Sequence, residues 1–156
     1  MTDLFGNQEI RLLFFKQPFG SLMIPTNHYD YKSIETRVWS TSYHGLILIC
    51  TSLKGYKQDD LIKISGLYKG SFIECVLDWN QEPTRRLCGY AIAIGELVNC
   101  RRMRKEDERN ALVKFNKDLF SWEFSNVKRI EPFKIKGGLG LIRISDEVRS
   151  KIKVIA

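Results

Sequence analysis

The pattern of apolar and polar positions predicts a chain built mainly of short β-strands. Apolar runs cover 11–16, 46–50 and 87–98. Runs of this length, bounded by glycine, proline or polar residues, are typical of strands. The run at 46–50 is almost continuously apolar, so we expect that strand to be buried on both faces. Gly89 and Gly95 in the third run predict a bulge or a close approach of the backbone.

Helices are predicted between these strands. A helical turn should follow Pro18, because Phe19 and Leu22 are spaced to share one face. Residues 58–78 carry two groups of apolar side chains at helical spacing and predict two short amphipathic helices. Opposite charges three and four residues apart predict an exposed helix or helical turn over 101–112. The first half of that segment is strongly basic, which suits either a phosphate contact or a solvated surface.

The last third of the chain returns to short strands, with turns predicted at Ser125-Asn126 and at Gly137-Gly138. These strands should cover 122–124, 127–130, 133–136 and 139–144. Helices inserted between strands, without regular βαβ alternation, predict an α+β fold with a small barrel or a strongly curved sheet. At 156 residues, the chain is expected to form a single domain over 1–156.

Charge is the most telling feature of the composition. The net charge is +7 and the sequence pI is about 9.3, which favours polyanionic partners such as nucleic acid. The amino terminus does not resemble a secretory signal, and no apolar run approaches the roughly 20 residues of a membrane span. The four cysteines are irregularly spaced, as expected of reduced thiols. We therefore expect a cytoplasmic monomer that binds no membrane, cofactor or metal.

Candidate binding residues are concentrated immediately before the second apolar run, in the segment KSIETRVWSTSYHG. Its cations suit a phosphate or a polar base edge, its aromatic rings can stack on a base, and its hydroxyls can form hydrogen bonds. Glu35 lies between two cations and would orient them or accept a hydrogen bond from a base. The same pattern also fits a half-buried strand with solvated ion pairs. The candidates are Lys32, Glu35, Arg37, Trp39, Ser40, Thr41 and Tyr43.

Two further candidates are Lys134 and Lys136. They alternate with Phe133 and Ile135 and therefore share one face of a predicted strand. Such a pair could follow a nucleic-acid backbone. Lysines also serve on edge strands simply to block aggregation, so this alternative stays open.

Five stretches, in order, resemble the activating-signal-cointegrator homology (ASCH) domain of the PUA-like superfamily. They are QPFGSLMI at 17–24, KSIETR at 32–37, the tryptophan and Tyr-His-Gly spacing before LILIC, the glycine-containing strand that ends in ELVNC, and FSWEFSNVKRIEPFKIKGGLGL at 120–141. The resemblance implies a small β-barrel with short helices inserted between strands. It also implies a cleft into which the K-x-x-E-x-R segment projects, with single-stranded or structured RNA as the ligand.

Some ASCH relatives are hydrolases that act on a modified cytidine or on RNA. In the amidohydrolase branch a lysine is followed three residues later by threonine, and a glutamate comes from a central strand. Lys32 matches the lysine, but Glu35 replaces the threonine and the strand at 91–94 has no carboxylate, although Glu96 follows it. Two of the three catalytic positions are therefore absent, so the resemblance does not imply that activity for this chain. A hydrolase with Lys32 as base or electrostatic stabiliser and Glu35 as proton carrier remains the alternative.

A third hypothesis is a scaffold without a working cleft, which would contact another protein through Phe72 and Trp79. Trp122 and Phe124 are expected to fill the barrel interior rather than contact a ligand, and Asn126 is expected to shape a turn.

Overall fold

A computed structural model describes residues 4–25, 32–67 and 79–155. These residues form an α+β structure with one six-stranded sheet in the order β2-β5-β4-β3-β1-β6. The strands are β1 (Ile10–Phe15), β2 (Ile34–Arg37), β3 (Gly45–Thr51), β4 (Tyr90–Arg102), β5 (Phe120–Lys134) and β6 (Ile142–Arg143). The helices are α1 (Phe19–Leu22), α2 (Gln58–Ser65), α3 (Glu108–Ala111) and α4 (Asp146–Ser150), with a 3₁₀ turn (Lys105–Asp107) directly before α3.

Strands β1, β3 and β4 form the buried centre of the sheet. Strand β1 pairs with β3 in parallel, and β3 pairs with β4 in antiparallel orientation. The four residues at 47–50 are fully buried, which confirms that β3 is covered on both faces. One apolar cluster contains Phe15, Trp122 and Phe124, and a second contains Leu48 and Ile130. Trp122 and Phe124 therefore pack in the interior, as predicted.

The sheet curls strongly but does not close over the described residues. Strands β2 and β1 are four positions apart in the sheet order, a separation of about 19 Å in a flat sheet. Yet Arg37 Nη2, at the end of β2, donates a hydrogen bond to Phe14 O in β1 at 2.6 Å. The curl therefore brings β2 close to β1. Within the described ranges, β2 and β6 remain the two edges, so the expected curved sheet is confirmed and a closed barrel is not seen.

Two predicted boundaries are wrong because long-range pairing overrides local pattern. The helix predicted over 101–112 starts too early, since Arg101 still belongs to β4 and pairs with Ser121 of β5. Residues 122–130 form one continuous strand, and Asn126 lies in a bulge with φ of 52° instead of a turn. At that bulge two residues of β5 face Gly95 alone, which confirms the bulge predicted at that glycine. A Cβ on Gly95 would lie 2.8 Å from Val127 Cγ2.

The short helices agree with the sequence where they are described. Helix α1 follows Pro18 as predicted, and α2 is the first of the two helices expected in 58–78; the second lies outside the described residues. The strand predicted over 139–144 is reduced to β6. Cys50, Cys88 and Cys100 are free thiols. No helix in the described part of the chain has the length and apolar character needed to cross a membrane.

Candidate nucleic-acid interface

Lys32 is completely buried, and its ammonium group is fully engaged. Its Nζ donates to the carbonyls of Ile34 and Ala111 and lies 3.3 Å from Glu35 Oε1. These three acceptors match the three N–H donors of a lysine ammonium. The ring centroid of Phe19 lies 5.1 Å from Nζ. Burial lowers the pKa of Lys32, while the carboxylate of Glu35 opposes that shift.

Glu35 links the buried lysine to Arg37. Its side chain is 9% exposed, and its Oε2 accepts a hydrogen bond from Arg37 Nη2 at 3.0 Å. The same Nη2 also donates to Phe14 O, so both hydrogens of that nitrogen are used. Arg37 Nε is buried without a hydrogen-bond partner among the described residues. The guanidinium is therefore held rigidly along one side and has a donor that no described residue satisfies.

The three charged residues converge because of their positions relative to β2. Glu35 and Arg37 are two residues apart on one strand and therefore point to the same face. That face is the inner one, since Glu35 pairs with Trp122 across the ladder. Lys32 precedes the strand, and its own backbone N–H donates to Leu22 O at 2.8 Å. Glu35 therefore contacts both cations, in line with the expectation that it orients them, but Lys32 faces the protein interior and does not project into a cleft.

The residues after β2 spread along the molecule. Trp39 packs edge-on against Trp122, with ring centroids 4.7 Å apart, and its carbonyl accepts a hydrogen bond from Trp122 Nε1. Ser40 is exposed. Thr41 Oγ1 accepts a hydrogen bond from the backbone N–H of Tyr43 at 3.0 Å. Trp39 therefore borders the charged residues, while the hydroxyl groups lie on the connecting loop.

Tyr43 does not join Arg37. Its hydroxyl donates to Leu46 O at 2.9 Å, near the start of β1, and the Arg11 guanidinium lies 4.4 Å from its ring centroid. Arg37 contacts Phe14, four residues further along β1, which corresponds to about 13 Å of strand. Burial raises the pKa of Tyr43. With one ring face covered by Arg11, Tyr43 is poorly placed to stack on a base held at Arg37.

Sequence reasoning missed a row of side chains next to Arg37. Phe120 in β5 pairs with Arg37 on one side and with Arg102 on the other. Directly opposed residues of antiparallel strands share a face, so these three side chains line one end of the curl. The Arg102 guanidinium lies 4.5 Å from the Phe120 ring centroid. The basic run at 101–105 was the available signal. Because that run was predicted to be helical, the pairing of Arg102 with Phe120 was not expected.

An ion-pair cluster on the opposite face supports this row. Arg101 binds both carboxylate oxygens of Asp107, at 2.7 and 2.9 Å, and also pairs with Glu123. Asp107 further accepts hydrogen bonds from the Ser121 hydroxyl and the Arg104 backbone N–H. The Arg101 guanidinium, with these other donors, lowers the pKa of Asp107 to about 2. The segment after β4 is thereby fixed against β5.

Lys134 and Lys136 lie far from the charged cluster. Lys134 is the last residue of β5 and pairs with Tyr90, whereas Phe120 at the Arg37 end is the first. Both lysines are exposed and line a separate pocket of about 450 Å³ that also contains Cys88. The two lysines predicted to follow a nucleic-acid backbone therefore lie at the opposite end of β5 from Arg37.

The contacts of Lys32 and Glu35 suit a role in positioning Arg37 better than a role in acid–base catalysis. Lys32 donates in three directions, and neither oxygen of Glu35 is free, so both groups are occupied by the protein itself. Glu96 is exposed and lines a different pocket, with Glu9 and His44. Among the described residues no group of three or more histidine, cysteine, aspartate or glutamate side chains could hold a metal ion.

The hypothesis of a contact with another protein involves Phe72 and Trp79. Trp79 is fully buried and packs edge-on against Tyr56, with ring centroids 5.2 Å apart, so it is not a surface contact. Phe72 lies outside the described residues.

Comparison with known proteins identifies no relative of this chain. No protein-family model matches the chain, and no curated protein matches it. The resemblance to ASCH domains therefore depends on the motifs quoted above.

Proposed function

We propose that this protein is an ASCH-type, PUA-like domain that binds RNA and holds a base or nucleotide at Arg37. The observation that supports the proposal is the hydrogen bonding of Arg37. Its Nη2 is fixed by Phe14 O and Glu35, while its buried Nε has no partner in the described part of the chain. A buried donor without an acceptor is costly, so a small movement of the guanidinium toward a ligand acceptor at the exposed part of the side chain would be favourable. Base edges and phosphate oxygens both supply such acceptors.

Within the proposed site the charged residues have different roles. Arg37 is the contact residue, because its side chain is 22% exposed. Lys32 and Glu35 are positioning residues, because their polar atoms are occupied by the protein. Trp39 borders the site through its contact with Trp122 and could offer apolar surface to a base. The net charge of +7 supports a polyanionic ligand.

Fluorescence anisotropy with labelled oligonucleotides tests the proposal. The panel should contain single-stranded RNA, a hairpin RNA, duplex RNA and single-stranded DNA. We expect Arg37→Gln to weaken RNA binding about tenfold or more, because a hydrogen bond to a charged group contributes about 1.5–3 kcal/mol. Arg86→Gln removes an exposed charge elsewhere and is the matched control.

Two results would contradict the proposal. One is the absence of binding across the whole panel. The other is equal affinity of the Arg37 and Arg86 variants, which would show that charge alone, and not the arranged arginine, governs binding. Circular dichroism of each variant should accompany the titration to verify that the fold is retained.

A further inference from the structure

Five exposed cations lie on Arg102, which borders the proposed site, and on the two segments that continue from it, and they are assigned no role by the proposed function. We propose that they form a track for the phosphates of a single-stranded nucleic acid whose base or nucleotide is held at Arg37. This inference rests on the proposed function. We call the five residues the basic rim; they are Arg102, Arg104, Lys105, Lys114 and Lys117.

The basic rim consists of two chain segments that lie side by side. The Met103 backbone N–H donates to Leu119 O at 3.0 Å, and Arg102 Nη1 donates to Lys117 O at 3.4 Å. All five cations are exposed, and none has an ion-pair partner among the described residues. Glu106 and Asp118 are the exposed acids of these segments, so positive charge predominates.

Buried polar groups hold this surface in place from beneath. Asp107, which is 4% exposed, binds Arg101 and accepts the backbone N–H of Arg104, a member of the basic rim. Lys32 binds the carbonyl of Ala111 at the end of α3, before the segment that carries Lys114 and Lys117. Fixing the backbone reduces the entropy lost when the cations bind phosphates. Lys32 therefore contacts both Glu35, which binds Arg37, and the end of the helix that precedes Lys114 and Lys117.

The basic rim begins next to Arg37. Arg102 and Arg37 flank Phe120 on neighbouring strands, a separation of about 10 Å between their backbones. One short oligonucleotide can therefore contact both.

The access to Arg37 favours a single strand over a duplex. Only 22% of the Arg37 side chain is exposed, and the group lies on the inner face of the curl. A base stacked within a duplex cannot reach such a recessed donor, whereas an unstacked base can be turned into it. The remaining strand would then follow the exposed cations outside.

The test measures how RNA affinity depends on salt. The probe is a labelled single-stranded RNA of about 16 nucleotides, the upper site size for one small nucleic-acid-binding barrel. The variants are Arg104→Gln with Lys105→Gln, and the control is Lys54→Gln with Lys128→Gln, which removes two exposed charges elsewhere. Each lost phosphate contact lowers the slope of log affinity against log salt by about 0.7, so we expect a drop of about 1.4 for the rim variant and none for the control.

The outcomes separate this inference from the proposed function. Binding that depends on Arg37 but responds equally to the rim and control variants would overturn the track alone. Binding that depends on the rim and not on Arg37 would overturn the link between the two. A blunt duplex of the same sequence that binds as tightly as the single strand would refute the preference for single strands. Rim-dependent binding to phosphatidylserine vesicles, without RNA binding, would overturn both proposals.

Discussion

Replacing Lys32 with methionine would remove a charge from a site that water does not reach. Methionine has a similar length, so the main loss is polar. The carbonyls of Ile34 and Ala111 would lose their donor, and Glu35 would lose one of its two cations. Breaking a buried ion pair by removing one partner costs about 3–5 kcal/mol. We expect a loss of that size in the free energy of unfolding, and not merely a change in ligand affinity.

Urea denaturation followed by tryptophan fluorescence measures this loss. A double-mutant cycle with Glu35→Gln isolates the pair, and residues in direct contact should show a coupling energy of about 0.5–3 kcal/mol. Lys54→Met is the matched control, because Lys54 is exposed. A loss below about 1 kcal/mol for Lys32→Met, or additive effects in the cycle, would refute the reasoning. Lys32 would then have to be reconsidered as a ligand contact.

Three other predictions concern stability and use the same unfolding measurement. The pKa of Asp107 is lowered to about 2 from 3.8, so its stabilising effect is complete above about pH 4 and is lost as the pH falls toward 2; the stability difference between the wild type and Asp107→Asn should shrink over that range, and a constant difference would contradict this. Gly95→Ala should cost about 1–3 kcal/mol, because the new methyl overlaps Val127; Val127→Ala in the same chain should relieve part of that cost, and strict additivity would argue against the overlap. Glu82 is buried and accepts hydrogen bonds from Arg129 Nη1 and Nη2, at 2.6 and 3.0 Å, so Glu82→Gln should cost about 3 kcal/mol, and an unchanged unfolding midpoint would rule that out.

Local pattern predicted the elements whose burial is continuous along the chain. Strands β1 and β3 follow from runs of apolar side chains, and helices α1 and α2 follow from apolar side chains at helical spacing. The end of β4 was missed because Arg101 and Arg102 resemble solvated helix residues. They remain in a strand because β5 supplies their ladder partners and the Asp107 carboxylate binds Arg101. Those partners lie several residues away or on another strand, and local charge spacing contains no information about them.

The candidate site was predictable in part. Lys32, Glu35 and Arg37 are close in sequence, and the alternation of a strand is enough to bring the latter two together. The interior position of Lys32 depends on Ala111, which is 79 positions away in the sequence. The separation of Tyr43 from Arg37 likewise follows from the way the loop after β2 joins the start of β3. Residue types indicated the chemistry, while the sheet topology decided which groups meet.

The arrangement of Lys32, Glu35 and Arg37 has a consequence for how such a protein can diversify. The buried cation and its carboxylate stabilise the fold only as a pair, so losing either alone leaves an uncompensated group in the interior. Arg37 is partly exposed and can be exchanged singly at smaller cost. The proposed contact residue can therefore change by single substitutions, whereas the Lys32–Glu35 pair beneath it can be replaced only by two concerted ones.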